Sequence, residues 1–360
     1  MTLNIAIIGV GLIGGSIGLA LRGAPMVKGI TGIDVNPQAL NSAVKMGAID
    51  RGAPLKEGVR DADVVFICSP LETVPGIVRA IRNHLKPGCI VTDVGSTKQK
   101  VMEAFAAELP PGVHGIGGHP MAGSEKGGVA GADRYLFENA VYVLTPPGSP
   151  GQEPVETLAA LVGQMGAQVI IMDPSRHDDL VAIISHLPHL VAVALVNQAA
   201  GEPEALMLAA GGFRDTTRIA SSPPEMWEEI LFSNREAVIH RLEGLITGLN
   251  DFRRYLADRK REEVRSRLEQ AREIRESIPR RKTGLFPVTC ELIAIVPDEP
   301  GVIGSIGATL GEKGINIVDI EILRVREGDG GTIRLGVPSI ADAETAVELL
   351  RETGVKAWLR

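Results

Sequence analysis

Aromatic side chains are scarce in this sequence: two Trp, three Tyr and seven Phe among 360 residues. Positive charge is also in deficit, with 37 Lys and Arg against 44 Asp and Glu, a net of −7. An acidic chain with few stacking surfaces lacks what sequence-blind nucleic-acid binding requires, so no nucleic-acid partner is expected. Cysteine is limited to Cys68, Cys89 and Cys290, far apart in sequence and two of them within apolar runs. No CxxC or Cys/His cluster accompanies them, which predicts free thiols, no metal site and a reducing, cytoplasmic compartment. The apolar N-terminus has no basic n-region, and glycines at 9, 11, 14 and 15 interrupt it, so a signal peptide is not expected. An unbroken run of 18 apolar residues is also missing, and no membrane association is expected.

Glycine is in excess, at 42 residues against about 7% in ordinary chains. There is no Gly-X-Y period, and 44% hydrophobic with 22% charged residues excludes general disorder. Glycine also maps the organisation: 22 fall in 1–144, 9 in 145–283 and 11 in 284–360. Because Gly costs about 1 kcal/mol in a helix interior, the Gly-poor middle should be helical.

The first stretch alternates short apolar runs (4–9, 29–34, 63–69, 89–94, 113–117, 140–145, 167–172) with helical ones (37–46, 71–84, 98–108, 153–164). That alternation predicts an α/β, mostly parallel, doubly wound sheet. Helical runs then follow at 175–201, 204–210 and 224–250, and residues 251–282 carry 12 Lys/Arg and 7 Asp/Glu, the pattern of a solvated helix. Pro279 and Pro287 bracket a basic linker. Beyond it a strand (288–296), a helix to 313, a strand (314–325), a turn (328–331), a strand (332–337), a helix (341–353) and a strand (355–359) give the ferredoxin-like β-α-β-β-α-β order. The predicted domains are 1–172, 173–283 and 284–360.

Gly9-Val-Gly11-Leu12-Ile13-Gly14 follows a strand and opens a helix, with a second strand ending in Asp34. In that context the first Gly makes the turn, the second admits a pyrophosphate and the third lets helix and strand approach. The phosphates would sit on the free N–H groups of the helix N-terminus. Asp34 would accept from ribose hydroxyls and repel a 2′-phosphate, and Val35-Asn36 supply no cation, so NAD is expected over NADP. Ser69, in Cys68-Ser-Pro70 at the end of another strand, either touches the cofactor or caps the next helix.

Two further strand ends face the same crevice: Thr92-Asp-Val-Gly-Ser96-Thr-Lys98 and the loop at 117–126, which contains His119 and Glu125. A His at the nicotinamide end can take the proton of a hydroxyl whose carbon gives up hydride; a structural loop His is the competing reading. The helical stretch adds His177-Asp178, Ser185-His-Leu-Pro-His189 and the segment 211–218 ending in Arg218. Arginine grips carboxylates bidentately, so a carboxylate substrate is the natural partner.

On the motifs at 9–16 (GVGLIGGS), 92–98 (TDVGSTK), 117–128 (GGHPMAGSEKGG), 185–189 (SHLPH) and 211–220 (GGFRDTTRIA), the chain resembles the bacterial prephenate/arogenate dehydrogenase family with a C-terminal ACT domain. The resemblance implies a Rossmann-type first domain, a helical substrate and dimerisation domain, and a homodimer. It implies His119 as the catalytic residue at the substrate's ring hydroxyl, Ser96 orienting that hydroxyl, Arg218 on a substrate carboxylate and His189 near the side-chain carboxylate. Glu125, His177 and Asp178 match the wall of the site. The implied reaction is NAD-dependent oxidative decarboxylation of prephenate to 4-hydroxyphenylpyruvate, in tyrosine biosynthesis. Arogenate is the alternative substrate. Less favoured are a 3-hydroxyacid dehydrogenase, which would be expected to use a catalytic Lys on the helical domain, and a non-catalytic sensor. In the tail, Asp298, Pro300, Gly301 and Asn316 match the ligand-loop and strand positions of ACT modules, which implies an amino-acid effector, tyrosine by the logic of the reaction.

Overall fold

The computed structural model describes residues 2–123, 127–148, 153–278, 290–297, 299–326 and 330–359. Glu125, Asp298, the basic linker and residues 328 and 329 of the 328–331 turn therefore lie outside the described residues. The chain divides into two compact units, Met1–Glu273 and Ile274–Arg360; the boundary expected at 172/173 falls inside the first.

The first unit is built on eight strands: β1 (Leu3–Ile8), β2 (Val27–Ile33), β3 (Arg51–Gly52), β4 (Val64–Ile67), β5 (Ile90–Asp93), β6 (His114–Pro120), β7 (Val141–Thr145) and β8 (Gln168–Ile171). Their order is β3-β2-β1-β4-β5-β6-β7-β8. All pairings are parallel except β6 with β7. Buried apolar side chains cover both faces of the sheet, one cluster including Ile5, Ile7, Phe66 and Tyr142, the other Ala6, Ile8, Val65 and Val91. Burial on both faces explains why these strands read as continuous apolar runs rather than alternating ones. The sheet reverses its winding between β1 and β4, which opens a crevice at their carboxyl ends. The two-residue β3 carried no apolar signal and was not expected.

The helical stretch departs from the predicted pattern in two places. The helix Pro174–Ala199 contains a π turn over Ala182–His186. Pro188, just beyond, has no N–H and crowds the carbonyl a turn earlier, which accounts for the widening. The expected 224–250 helix is two helices, Pro224–Ser233 and Arg235–Ala257. They break at Asn234, whose side chain turns inward instead of capping the second. The run at 204–210 shortens to Pro203–Met207, and a helix not anticipated forms over Gly211–Thr217.

By length and composition alone, Pro174–Ala199 is also apolar enough to cross a bilayer. Counting unbroken apolar runs missed it because Ser185, His186 and His189 interrupt the sequence. Of these, His186 and His189 belong to the ring cluster described below.

The second unit has four antiparallel strands, β9 (Cys290–Val296), β10 (Asp319–Arg326), β11 (Gly330–Val337) and β12 (Lys356–Leu359), in the order β10-β11-β9-β12. Helices Val302–Gly311 and Ile340–Glu352 cover one face, burying Leu292, Ala294, Leu310, Leu335 and Val347. This is the expected ferredoxin-like order. The strand predicted from 314 begins only at Asp319, because Gly314 takes a left-handed turn (φ 73°) after the helix.

Candidate active site

The nucleotide end is set by backbone approach. Gly9 has φ 91°, and a Cβ there would lie 2.5 Å from the Cys68 carbonyl oxygen on the adjoining strand end. A Cβ on Gly14 would lie 2.0 Å from the Gly9 carbonyl oxygen, while the Cβ position of Gly11 faces open space. The turn is thus closed where chain meets chain and open where a phosphate would lie. The helix Leu12–Leu21 begins here with no side-chain cap, leaving its first N–H groups for an anion; Leu12 and Ile13 form its half-buried first turn. Asp34 follows β2, and its carboxylate accepts from Val10 N (2.9 Å) and Asn36 N (2.8 Å). These residues fit a dinucleotide with free ribose hydroxyls. The Ser69 hydroxyl accepts from Thr73 Oγ1 at 2.8 Å, four residues on, at the start of the next helical turn.

At the carboxyl end of β6, His119 meets the helical layer. His119 Nδ1 lies 2.8 Å from His177 Nε2, and His177 Nδ1 lies 2.8 Å from Asp178 Oδ1. Asp178 also accepts Lys98 N on Oδ1 (2.7 Å) and Gln99 N on Oδ2 (2.9 Å). It thereby stabilises the N-terminus of the helix Gln99–Glu108, which has no cap of its own. A carboxylate accepts only, so His177 donates from Nδ1; in the tautomer this leaves, His177 accepts at Nε2 and His119 donates from Nδ1. The chain has one polarity, and it leaves the lone pair of His119 on Nε2. Burial, with His177, Lys98 and His186 nearby, holds His119 well below the ordinary histidine range, so it stays neutral and able to take a proton.

Lys98 is fully buried, paired with the equally buried Asp93, and donates to the Gly118 carbonyl at 2.6 Å. Ser96 lies half-buried in the same loop.

A second cluster lies further along the helix Pro174–Ala199. His189 stacks on Trp227 (centroids 3.6 Å apart, planes within 6°), and His186 meets the same ring edge-on at 6.2 Å. His186 Nδ1 is 3.3 Å from Asn234 Nδ2, which also donates to the Asp178 carbonyl at 2.7 Å. Burial pushes His186 down to about 4 against the opposing pull of Asp178, and burial also lowers His189. Two buried nitrogens, His189 Nδ1 and Trp227 Nε1, have no hydrogen-bond partner, which marks a place for a polar ligand.

The structure therefore brings His119, His177 and Asp178 together in one chain and places His186 and His189 beside them. Arg218 is exposed, on a 3-10 turn (Arg218–Ser221) packed against the part of the helix that carries His189. Reading the sequence missed Trp227, Asn234 and the roles of Asp93 and Lys98. The available signals were a lone Trp in an aromatic-poor helical stretch and a charged pair inside a motif at a strand end.

Fold and site fit a dinucleotide-dependent dehydrogenase: a glycine turn with an open helix N-terminus at a winding switch, and a hydrogen-bonded histidine pair at the carboxyl end of a strand of the same sheet. Three family models match the chain: prephenate dehydrogenase, nucleotide-binding domain, over residues 17–171; prephenate dehydrogenase, dimerization domain, over 173–270; and ACT domain over 291–354. A prephenate dehydrogenase of Bacillus subtilis is 39% identical over 353 residues, covering 96% of this chain and 95% of that one. The crystal structure of prephenate dehydrogenase from A. aeolicus, in complex with hydroxyphenyl propionate and NAD+, is 33% identical with a TM-score of 0.71. It covers 78% of this chain and 99% of that one. A Synechocystis arogenate dehydrogenase structure is 31% identical with a TM-score of 0.70, covering 76% and 99%. The chain belongs to the prephenate dehydrogenase family, and it is an NAD-dependent oxidoreductase.

Proposed function

We propose that His119 is the base of an oxidative decarboxylation of prephenate, and that the one-way chain Asp178–His177–His119 carries this reading. With its Nδ1 proton committed to His177, His119 presents Nε2 to the ring hydroxyl and takes up its proton as the carbon beneath is oxidised. When bound, NAD+ supplies the hydride acceptor. The ring carboxylate leaves as CO2, the electron pair of the broken C–C bond completes the aromatic ring, and His119 returns the proton to the ring oxygen to give 4-hydroxyphenylpyruvate. Because aromatisation drives the step, the protein's task is to position groups and to handle one proton. In this reading Ser96 orients the hydroxyl, and Arg218 and His189 hold the carboxylates. Glu125 stays assigned to the site wall on the sequence alone. Gly9, Gly11, Leu12, Ile13, Gly14 and Asp34 hold the cofactor, and Ser69 serves more as a turn cap than as a cofactor contact.

Prephenate is favoured over arogenate by one observation. Asp178, the carboxylate that could have met arogenate's ammonium, is buried with both oxygens occupied by Lys98 N, Gln99 N and His177. The test is NADH formation with each substrate in turn, on the native protein and on His119→Asn. A kcat lower by about 10²–10⁴ with NAD+ affinity kept is expected; normal turnover by the variant refutes the assignment.

A homodimer through the helical layer is supported by the exposed apolar side chains Ile184, Met207, Leu208, Phe232, Leu249 and Leu256. In the second unit, tyrosine is the proposed effector, at the loop bearing Pro300 and Gly301 (φ 95°) and at Asn316. Inhibition requires tyrosine to favour a less active state, and a tyrosine titration with no loss of rate removes it. A cytoplasmic location follows from the reaction's place among biosynthetic enzymes.

A further inference from the structure

We propose that the buried Lys98–Asp93 ion pair is a positioning device for His119, acting through the peptide group of Gly118. The ladder between β5 and β6 ends at Thr92 opposite Ile116, so β6 runs on beyond its neighbour on that side. In a strand, the N–H and C=O of one residue point to the same side, and those of Gly118 point to where β5 has ended. The ion pair takes both: Gly118 N donates to Asp93 Oδ1 at 3.0 Å, and Lys98 Nζ donates to Gly118 O at 2.6 Å. On the other side, His119 is paired with Val143 of β7. The base is therefore held between a ladder and a pair of charges that replaces a missing strand.

Approach at this point is close: a Cβ on Gly118 would lie 2.5 Å from the Asp93 carbonyl oxygen. The backbone of Lys98 is tied in as well, since its N–H donates to the same Asp178 oxygen that His177 uses. One residue thus joins the strand carrying His119 to the helix carrying its partner. Stability alone does not call for such a pair, because a buried ion pair contributes little beyond a well-packed apolar substitute.

The inference rests on His119 being the base, and the experiment separates the two. The variant is Lys98→Met with Asp93→Asn, so that no buried carboxylate is left alone. Initial rates are measured across pH, beside His119→Asn. The groups acting on His119 are His177 and His186 from the helix Pro174–Ala199, with Asp178 behind them, and Lys98 from the β5 loop, with Asp93 behind it. Loss of the Lys98 charge should move the acid limb of kcat/KM to higher pH, and a base displaced by a fraction of an ångström should lower kcat by about 10–100-fold. The KM values should stay within about threefold. Unchanged kcat, an unmoved acid limb, or a KM that rises in step with the lost rate overturns the proposal, the last because Lys98 would then be touching substrate. If the double variant does not fold, Lys98→Gln with Asp93→Asn keeps a neutral donor for Gly118 O, leaves no lone carboxylate and is read for the acid limb alone. Normal turnover by His119→Asn would instead sink the reading of the base itself.

Discussion

Replacing Asp178 by Asn keeps the shape of the side chain and removes one acceptor and one charge from the centre of the site. The carboxylate serves three donors, Lys98 N at 2.7 Å, His177 Nδ1 at 2.8 Å and Gln99 N at 2.9 Å. An amide can serve only those on its oxygen side. If the oxygen stays with Lys98 N and His177, the amide nitrogen faces the Gln99 N–H and one charge-assisted bond is lost, about 1.5–3 kcal/mol. For a unit of this size that lowers the unfolding midpoint by roughly 3–12 °C. If the amide turns the other way, it donates to His177 Nδ1, the chain reverses, and the proton of His119 moves to Nε2, where the lone pair was. In both orientations the charge that fixes the polarity is gone, and kcat should fall by about 10²–10⁴. The KM for NAD+ should hold, since the nucleotide turn is untouched. Initial rates of NADH formation at saturating substrates, with thermal unfolding in parallel, measure both effects. A folded Asp178→Asn protein with kcat within about threefold of the native value would show that the chain does not set the state of His119.

Gly14→Ala puts a methyl group 2.0 Å from the Gly9 carbonyl oxygen, so the turn must open, at a cost of about 1–3 kcal/mol; NAD+ titration should show weakened binding, and native affinity would mean the turn yields freely. Arg218→Ala should raise the KM for prephenate about 10–100-fold with little change in kcat, and an unmoved KM takes Arg218 out of the site. The folded pKa of His186, about 4, lies below its unfolded value near 6.5, so the unfolded chain binds the extra proton in between. Its contribution to stability is complete above about pH 6.5 and is lost as pH falls toward about 4. Urea midpoints should therefore drop between about pH 7 and pH 5 by less in His186→Gln than in the native protein, and equal drops would contradict the assignment.

What could be read from the sequence was what is local. The turn at Gly9–Gly14 with Asp34 is written within one β-α-β stretch, and each glycine has a steric reason visible at that spacing. The sheet was legible because strands buried on both faces are short, continuous apolar runs. What could not be read is what joins distant segments. His119 and His177 are 58 positions apart and meet only because a helix from one layer lies across the strand ends of another. Asp178 looked like a neighbour of His177 on a helix face; that its carboxylate caps a helix starting 79 positions earlier has no sequence signature. The breaks at the π turn and at Asn234 were hidden for a related reason. Periodicity continues across both, and the interruptions come from a ring clash at Pro188 and from an amide recruited inward.

The Asp178 cap also bears on how far this protein can be taken apart or recombined. The nucleotide-binding strands and the helical layer look like separable modules. Yet the carboxylate that completes the helix Gln99–Glu108 belongs to the other module, and it is the same carboxylate that orders the histidines. Transplanting the first 172 residues onto a foreign partner would leave that helix start uncovered and His119 without its hydrogen-bonded partner in a single cut. Chimeras and split versions should therefore keep the segment through Asp178 with the nucleotide-binding part, and a seam placed at the apparent domain boundary is the one to avoid.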